Sequence, residues 1–144
     1  ILTKSLETLF IRMEKHAQNA LQLAQQLQHH PRISWLKYPY LEDHPQYAIA
    51  KKQMSNGGGL LTFEIKGGLT SGQKFLNALK MISVTNNLGD SRTIASHPAS
   101  TTHSKLSEAE RSAVGISPGL IRISVGLEHS SDIFEDIHQA LEQS

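Results

Sequence analysis

Cysteine is absent from this chain, which excludes disulfides, thiolate zinc sites and a cysteine nucleophile within it and suits a reducing compartment. Long apolar runs are absent too. No stretch approaches the roughly 20 residues that cross a bilayer, and the first residues carry neither a basic n-region nor a cleavage site. A soluble, cytoplasmic protein with no membrane partner is the expectation. Nor does one sign of charge dominate: 14 Lys and Arg are scattered among 13 Asp and Glu for a net charge of +1. Without a basic stripe, nucleic acid is not an expected partner.

What is present suits one globular domain: 144 residues, 38% hydrophobic and 19% charged, with no internal repeat and no low-complexity linker. The chain opens on Ile1-Leu2-Thr3, without an initiator Met and already in a helical pattern. We read it as a piece of a longer protein.

Leu2, Leu6, Leu9, Met13, Ala17, Ala20, Ala24 and Leu27 recur at spacings of three and four, which predicts one continuous helix stopped by Pro31. Such a helix suits a connector between two bodies, or a long core helix. A short strand is expected over 33–38, a surface helix over 42–54, and a strand from Leu60 to Ile65. The glycine run Gly57-Gly58-Gly59 reads as a turn leading into that strand, because no Lys-Ser/Thr pair follows it and no helix starts there. Thr70-Ser71-Gly72-Gln73 has capping-box spacing, as does Ser107-Glu108-Ala109-Glu110, whose helix should end at Gly115. Strands are expected over 81–85, 92–96 and 120–125, the last with Ile121, Ile123 and Val125 on one side and Arg122 and Ser124 on the other. Ile133, Phe134, Ile137, Ala140 and Leu141 give a closing helix its apolar face. Short strands interleaved with helices predict an α+β layer, one sheet with helices mainly on one face.

Three segments together carry a resemblance: Leu6-Glu7-Thr8-Leu9 with Arg12-Met13-Glu14-Lys15-His16, Asn87-Leu88-Gly89-Asp90 running through His97-Pro98-Ala99-Ser100-Thr101-Thr102-His103, and Arg122-Ile123-Ser124-Val125-Gly126-Leu127-Glu128. In order and separation they resemble the Cys/Met-metabolism enzymes that use pyridoxal 5'-phosphate (PLP), and the similarity covers nearly the whole chain. The resemblance implies the small C-terminal domain of a fold-type I, aspartate aminotransferase-like enzyme, with a mainly antiparallel sheet and helices on one face. Residues 1–30 would link to an N-terminal cofactor domain outside this chain, and residues 31–144 would form the small domain. That other domain would supply the lysine that carries PLP and most contacts to it. Lys66, Lys74 and Lys80 do not follow the family's lysine motif, so no catalytic, cofactor-binding or metal-binding residue is assigned within the chain. The chain alone is expected to be inactive. A homotetramer built from dimers is also implied.

Arg122 is the leading site residue. An arginine in a strand is commonly an ion-pair partner, but the family places its carboxylate-binding arginine at this position, where a planar fork suits the α-carboxylate of an amino-acid substrate. Asn86, Asn87 and Leu88 fall where the family's small domain reaches toward cofactor and substrate. Asn87 would hold the carboxylate or position the catalytic lysine, or else serve as a turn residue tolerant of unusual backbone. Thr102 matches a position near the substrate side chain. A metal at His97 and His103, or a hydrolase triad of Asp90, Ser100 and His103, lacks the required ligand spacing or Gly-x-Ser-x-Gly turn. The remaining histidines, including His29 and His30, are expected to be solvated.

The resemblance favours a homoserine-ester sulfhydrylase making homocysteine by γ-replacement in methionine biosynthesis, because many lyases and cystathionine synthases carry serine where this chain has Asn87. Cystathionine γ-synthase or a methionine γ-lyase-like enzyme is the alternative. A non-catalytic binding or assembly module is the reading from another class.

Overall fold

A computed structural model describes residues 1–101 and 103–144, and Thr102 lies outside the described residues. The elements are α1 (Leu2–Glu7), α2 (Leu9–Leu27), β1 (Ile33–Lys37), α3 (Tyr47–Gln53), β2 (Leu60–Ile65), α4 (Gly68–Ala78), β3 (Ser83–Val84), β4 (Ile94–Ser96), α5 (Glu108–Ala113), β5 (Leu120–Ser124) and α6 (Ser130–Glu142). Five strands form one sheet in the order β1-β2-β5-β4-β3, antiparallel throughout except for the parallel pair β3 and β4. Among the described residues no helix is long and apolar enough to cross a membrane.

The pleat sorts side chains between two faces. Leu61, Phe63 and Ile65 of β2 and Ile121 and Ile123 of β5, with Val125 just beyond, are buried. They form one cluster with Leu23 and Leu27 of α2, Phe75 of α4, and Ile133, Ile137 and Leu141 of α6. Burial of an aliphatic or aromatic side chain stabilises by about 1.5–3 kcal/mol, so this face sets the fold. The opposite face carries Thr62 and Glu64 of β2, Arg122 and Ser124 of β5, and Ser96 of β4, which pairs with Arg122 in register. The α+β architecture, with its mostly antiparallel sheet, is that of a fold-type I small domain.

Some boundaries differ from expectation. The first helix is interrupted at Thr8, where ψ is 4°. Its first turns have no core to lean on: Leu2, Leu6 and Phe10 are exposed. The helix expected over 42–54 is shortened to Tyr47–Gln53, behind a run of turns through His44 and Pro45. α4 starts at Gly68, not after Thr70, because Gly67 turns the chain with φ +100° and no side chain caps the helix. A Cβ on Gly67 would collide with Ser71 Oγ, so glycine fits both the angle and the space. Ser107, by contrast, forms the full capping box with Glu110, and Gly115 follows at φ +78°.

The turn between α4 and β3 is held from α6. Asp136 accepts the backbone N–H groups of Lys80, Met81 and Ile82, each at 2.9 Å, and an amide N–H of Gln139 at 3.0 Å. Burial alone would raise its pKa, but these hydrogen bonds outweigh it and hold the carboxyl below its ordinary value.

Candidate functional site

Arg122 and Ser124 both project from the polar face of β5, and both reach the loop that links β3 to β4. Arg122 Nη2 donates to the carbonyl of Asn86 at 3.1 Å, and Ser124 Oγ accepts the N–H of Gly89 at 3.0 Å. Leu127 N–H donates to Ser91 O at 2.8 Å, closing the far end of the loop. Asn86, Asn87 and Leu88 are thus held across the open face beside the guanidinium, all three exposed. Asn86 contributes its backbone carbonyl. Among the described residues only the backbone N–H of Asn87 is engaged, donating to Thr85 Oγ1 at 3.5 Å, and among the same residues no non-glycine residue has a positive φ. The side-chain amide of Asn87 therefore stays available.

Arg122 itself is half-buried, and its Nε is fully buried with no hydrogen-bond partner. An unpaired buried donor on a charged group is costly, and a planar carboxylate against that edge of the guanidinium would satisfy it. The site is an open crook between β5 and the loop. Concavities of about 510, 640 and 890 Å³ lie elsewhere, beside Tyr47, Trp35 and Phe10 respectively.

The corner after β5 fixes this geometry. Gly126 N–H donates to Thr93 Oγ1 at 2.8 Å, and a Cβ there would collide with the backbone of Arg92 and Thr93, so the close approach requires glycine. Glu128 takes both the N–H and the hydroxyl of Thr93. From α2, buried His16 donates through Nδ1 to Val125 O at 2.6 Å, a direction set by the carbonyl, which can only accept. Buried Asn19 donates to the carbonyls of Gly126 and Glu128. Three distant stretches of sequence meet at one corner. Thr93, Ser124, His16 and Asn19 were not among the expected functional residues, although His16 and Ser124 stand inside the quoted motifs.

His97 is buried, its Nε2 donating to Pro118 O at 2.6 Å and its Nδ1 paired with Ser100 Oγ at 2.9 Å. A carbonyl rather than a carboxylate orients that ring. Asp90 instead pairs with Arg92 at 3.4 Å, and the hydrogen bonds from Arg92 hold its carboxyl below the ordinary range. Of the triad weighed from the sequence, Asp90 is thus engaged by Arg92 and Ser100 Oγ by His97. Thr102, expected near the substrate, lies outside the described residues.

The lysines stand apart from Arg122. Lys66 Nζ donates to Pro31 O at 2.7 Å, Lys74 belongs to α4 on the helix-covered side, and Lys80 lies in the turn held by Asp136.

A small α+β domain with an arginine on the open face of its sheet is the class these features define. The profile of the Cys/Met metabolism PLP-dependent enzyme family matches residues 1–142, and the chain belongs to that family. It is similar to L-methionine gamma-lyase of Pseudomonas deceptionensis, 46% identical over 98% of this chain and 35% of that protein. Homocysteine synthase of Schizosaccharomyces pombe is 46% identical over 99% of this chain and 33% of its own length. O-acetyl-L-homoserine sulfhydrylase of Leptospira meyeri is 45% identical over 97% and 32%. The chain thus spans about a third of the length of these curated relatives.

Proposed function

We propose that this chain is the substrate-carboxylate-binding domain of a PLP-dependent homoserine-ester sulfhydrylase. The observation that carries the reading is Arg122, with its buried unpartnered Nε and its Nη2 tethered to the Asn86 carbonyl. The tether limits the rotation of a long side chain, so less freedom is lost when a carboxylate binds. Two parallel N–H···O bonds then orient the amino acid. Asn87, exposed in the loop tethered to the guanidinium, donates an amide N–H to the same carboxylate, and the exposed Leu88 beside it faces the rest of the substrate.

PLP, when bound, supplies the electron sink for bond breaking at Cα and Cβ. In the overall γ-replacement the Cγ–O bond of an O-acyl homoserine breaks and a Cγ–S bond to sulfide forms, giving homocysteine and a free carboxylate. The 144 residues contribute binding and orientation, and on this reading they do not turn over alone. Thr102, matched by resemblance to a position near the substrate side chain, belongs to the same proposal.

A second reading, a methionine γ-lyase, is favoured by the equally high identity to lyases, 46%. Against it stands Asn87, where many lyases have serine. Assaying the full-length protein with O-acetyl- and O-succinyl-homoserine plus sulfide, and with methionine alone, tests the choice. Homocysteine formation exceeding thiol release from methionine by about tenfold or more in kcat/KM is expected. The reverse ratio would replace the sulfhydrylase reading with the lyase, and activity on neither would remove both.

A further inference from the structure

His30, expected to be solvated, is instead half-buried, and it meets two residues of α6 where α2 and α6 both end. His138 and Glu142 are four residues apart, one turn along the same face of α6. His30 Nε2 lies 3.1 Å from His138 Nδ1 and 3.7 Å from Glu142 Oε1, and the three potential ligand atoms all lie within 4.8 Å of one another. Two ligands bound at about 2.0–2.1 Å to one tetrahedral ion stand about 3.3–3.4 Å apart. The imidazole pair already has nearly that separation. Only the exposed carboxylate of Glu142 has to swing inward.

We propose that His30, His138 and Glu142 form a binding site for a divalent transition cation of the zinc class. Two imidazoles with one carboxylate select such an ion over calcium or magnesium, which prefer all-oxygen shells. The ring of His138 is supported by Phe134, stacked at 5.5 Å and 8°, and by His30, edge-on at 5.2 Å. Both α6 ligands lie toward the C-terminal end of that helix, where the carbonyl ends of the backbone favour a cation. Burial, followed by the neighbouring His138, lowers the pKa of His30 despite the opposing pull of Glu142, which favours the neutral ring. Neutral imidazole is the ligand form.

The protons balance through a change of tautomer. Arg32 N–H donates to His30 Nδ1 at 3.3 Å, so His30 Nε2 carries the hydrogen and donates it to His138 Nδ1. Metal binding transfers that hydrogen to His30 Nδ1, freeing both facing lone pairs and giving up the long Arg32 contact. The Arg32 guanidinium, held at Leu141 O at 3.3 Å, repels the ion. Both costs lower the affinity. Three protein ligands leave one position for water.

The test uses the full-length protein after chelator dialysis, titrated with zinc chloride by calorimetry and with cobalt(II) by visible absorption. One zinc per chain is expected, with a Kd on the order of 10 µM, together with a tetrahedral cobalt spectrum. His138→Gln and Glu142→Gln should each weaken zinc binding by about tenfold or more, while His29→Gln leaves it unchanged. His138 is exposed, so its variant keeps the fold even where His30→Gln does not. Zinc binding unaltered in His138→Gln, or no saturable binding below about 1 mM, would overturn the site.

Discussion

Glu128 holds Thr93 with both carboxylate oxygens, Oε1 accepting the backbone N–H at 2.6 Å and Oε2 the hydroxyl at 2.8 Å. The pair joins the corner after β5 to the start of β4, and so fixes the loop that lies over Arg122. Glu128→Ala removes two hydrogen bonds to a charged group and leaves a buried N–H unpaired. A loss of about 2–3 kcal/mol in urea unfolding of the 144-residue chain is expected. Glu128→Gln, which keeps one good acceptor, should lose less. If the two variants unfold at the same urea concentration as the parent, the corner does not depend on this contact.

Arg122→Ala in the full-length protein should lower kcat/KM for the amino-acid substrate by about 2–5 kcal/mol, the range for losing one partner of a desolvated charge pair. Arg122→Lys keeps the charge but not the fork, and should fall between the two. Because the only hydrogen bond from its side chain among the described residues is to the Asn86 carbonyl, the domain's stability should change by less than about 1 kcal/mol. Steady-state kinetics alongside thermal unfolding separates these effects. An Arg122→Ala enzyme with unchanged kcat/KM would remove Arg122 from the site.

Asp136 makes stability depend on pH. Its folded-state pKa lies below its unfolded value, so its contribution is complete above the unfolded pKa and is lost as pH falls through the folded one. His30 acts in the same acidic direction by a different route. Its lowered folded pKa means that the unfolded chain takes up the proton first once the pH falls below about 6.5, the unperturbed value. Asp136→Asn should cost about 2–3 kcal/mol near pH 7 and flatten the stability profile in the carboxylate range. An Asp136→Asn protein whose urea midpoint falls with acid as steeply as the parent's would assign that slope to other groups.

Much of the fold was legible because its signals are local. The alternation of Ile121, Arg122, Ile123 and Ser124 assigned the two sheet faces, and the capping box at Ser107 and Glu110 marked α5. The box at Thr70 misled, since the start of α4 is set by the backbone reversal at Gly67 rather than by a side chain. At the site, Arg122 was legible as a residue type on a polar face. Its tether was not, because the Asn86 carbonyl is a backbone atom without a residue signature. The convergence of His30 and His138 across 108 residues likewise leaves no trace in spacing. His16 was expected in water and is buried, paired with the Val125 carbonyl 109 residues along the chain.

The glycine run ahead of β2 offers a final test, because each of two glycines has a different physical reason. At Gly57 a Cβ would lie 2.5 Å from Tyr38 Cζ and Oη. Tyr38 is buried, and its one hydroxyl hydrogen is shared between the carbonyls of Gly58 at 2.8 Å and Ala17 at 3.2 Å, which holds the ring in place. Gly58 has open space around it but a φ of +73°, so a side chain there meets backbone strain alone. Overpacking costs typically about 1–3 kcal/mol and a left-handed non-glycine residue about 1–2 kcal/mol. Gly57→Ala should therefore destabilise at least as much as Gly58→Ala, and only Gly57→Ala should disturb the near-ultraviolet dichroism of Tyr38. A phosphate-cradling loop would behave otherwise: both variants would weaken anion binding and leave the fold intact. Unaltered stability in Gly57→Ala would therefore reopen the cradle reading of this turn.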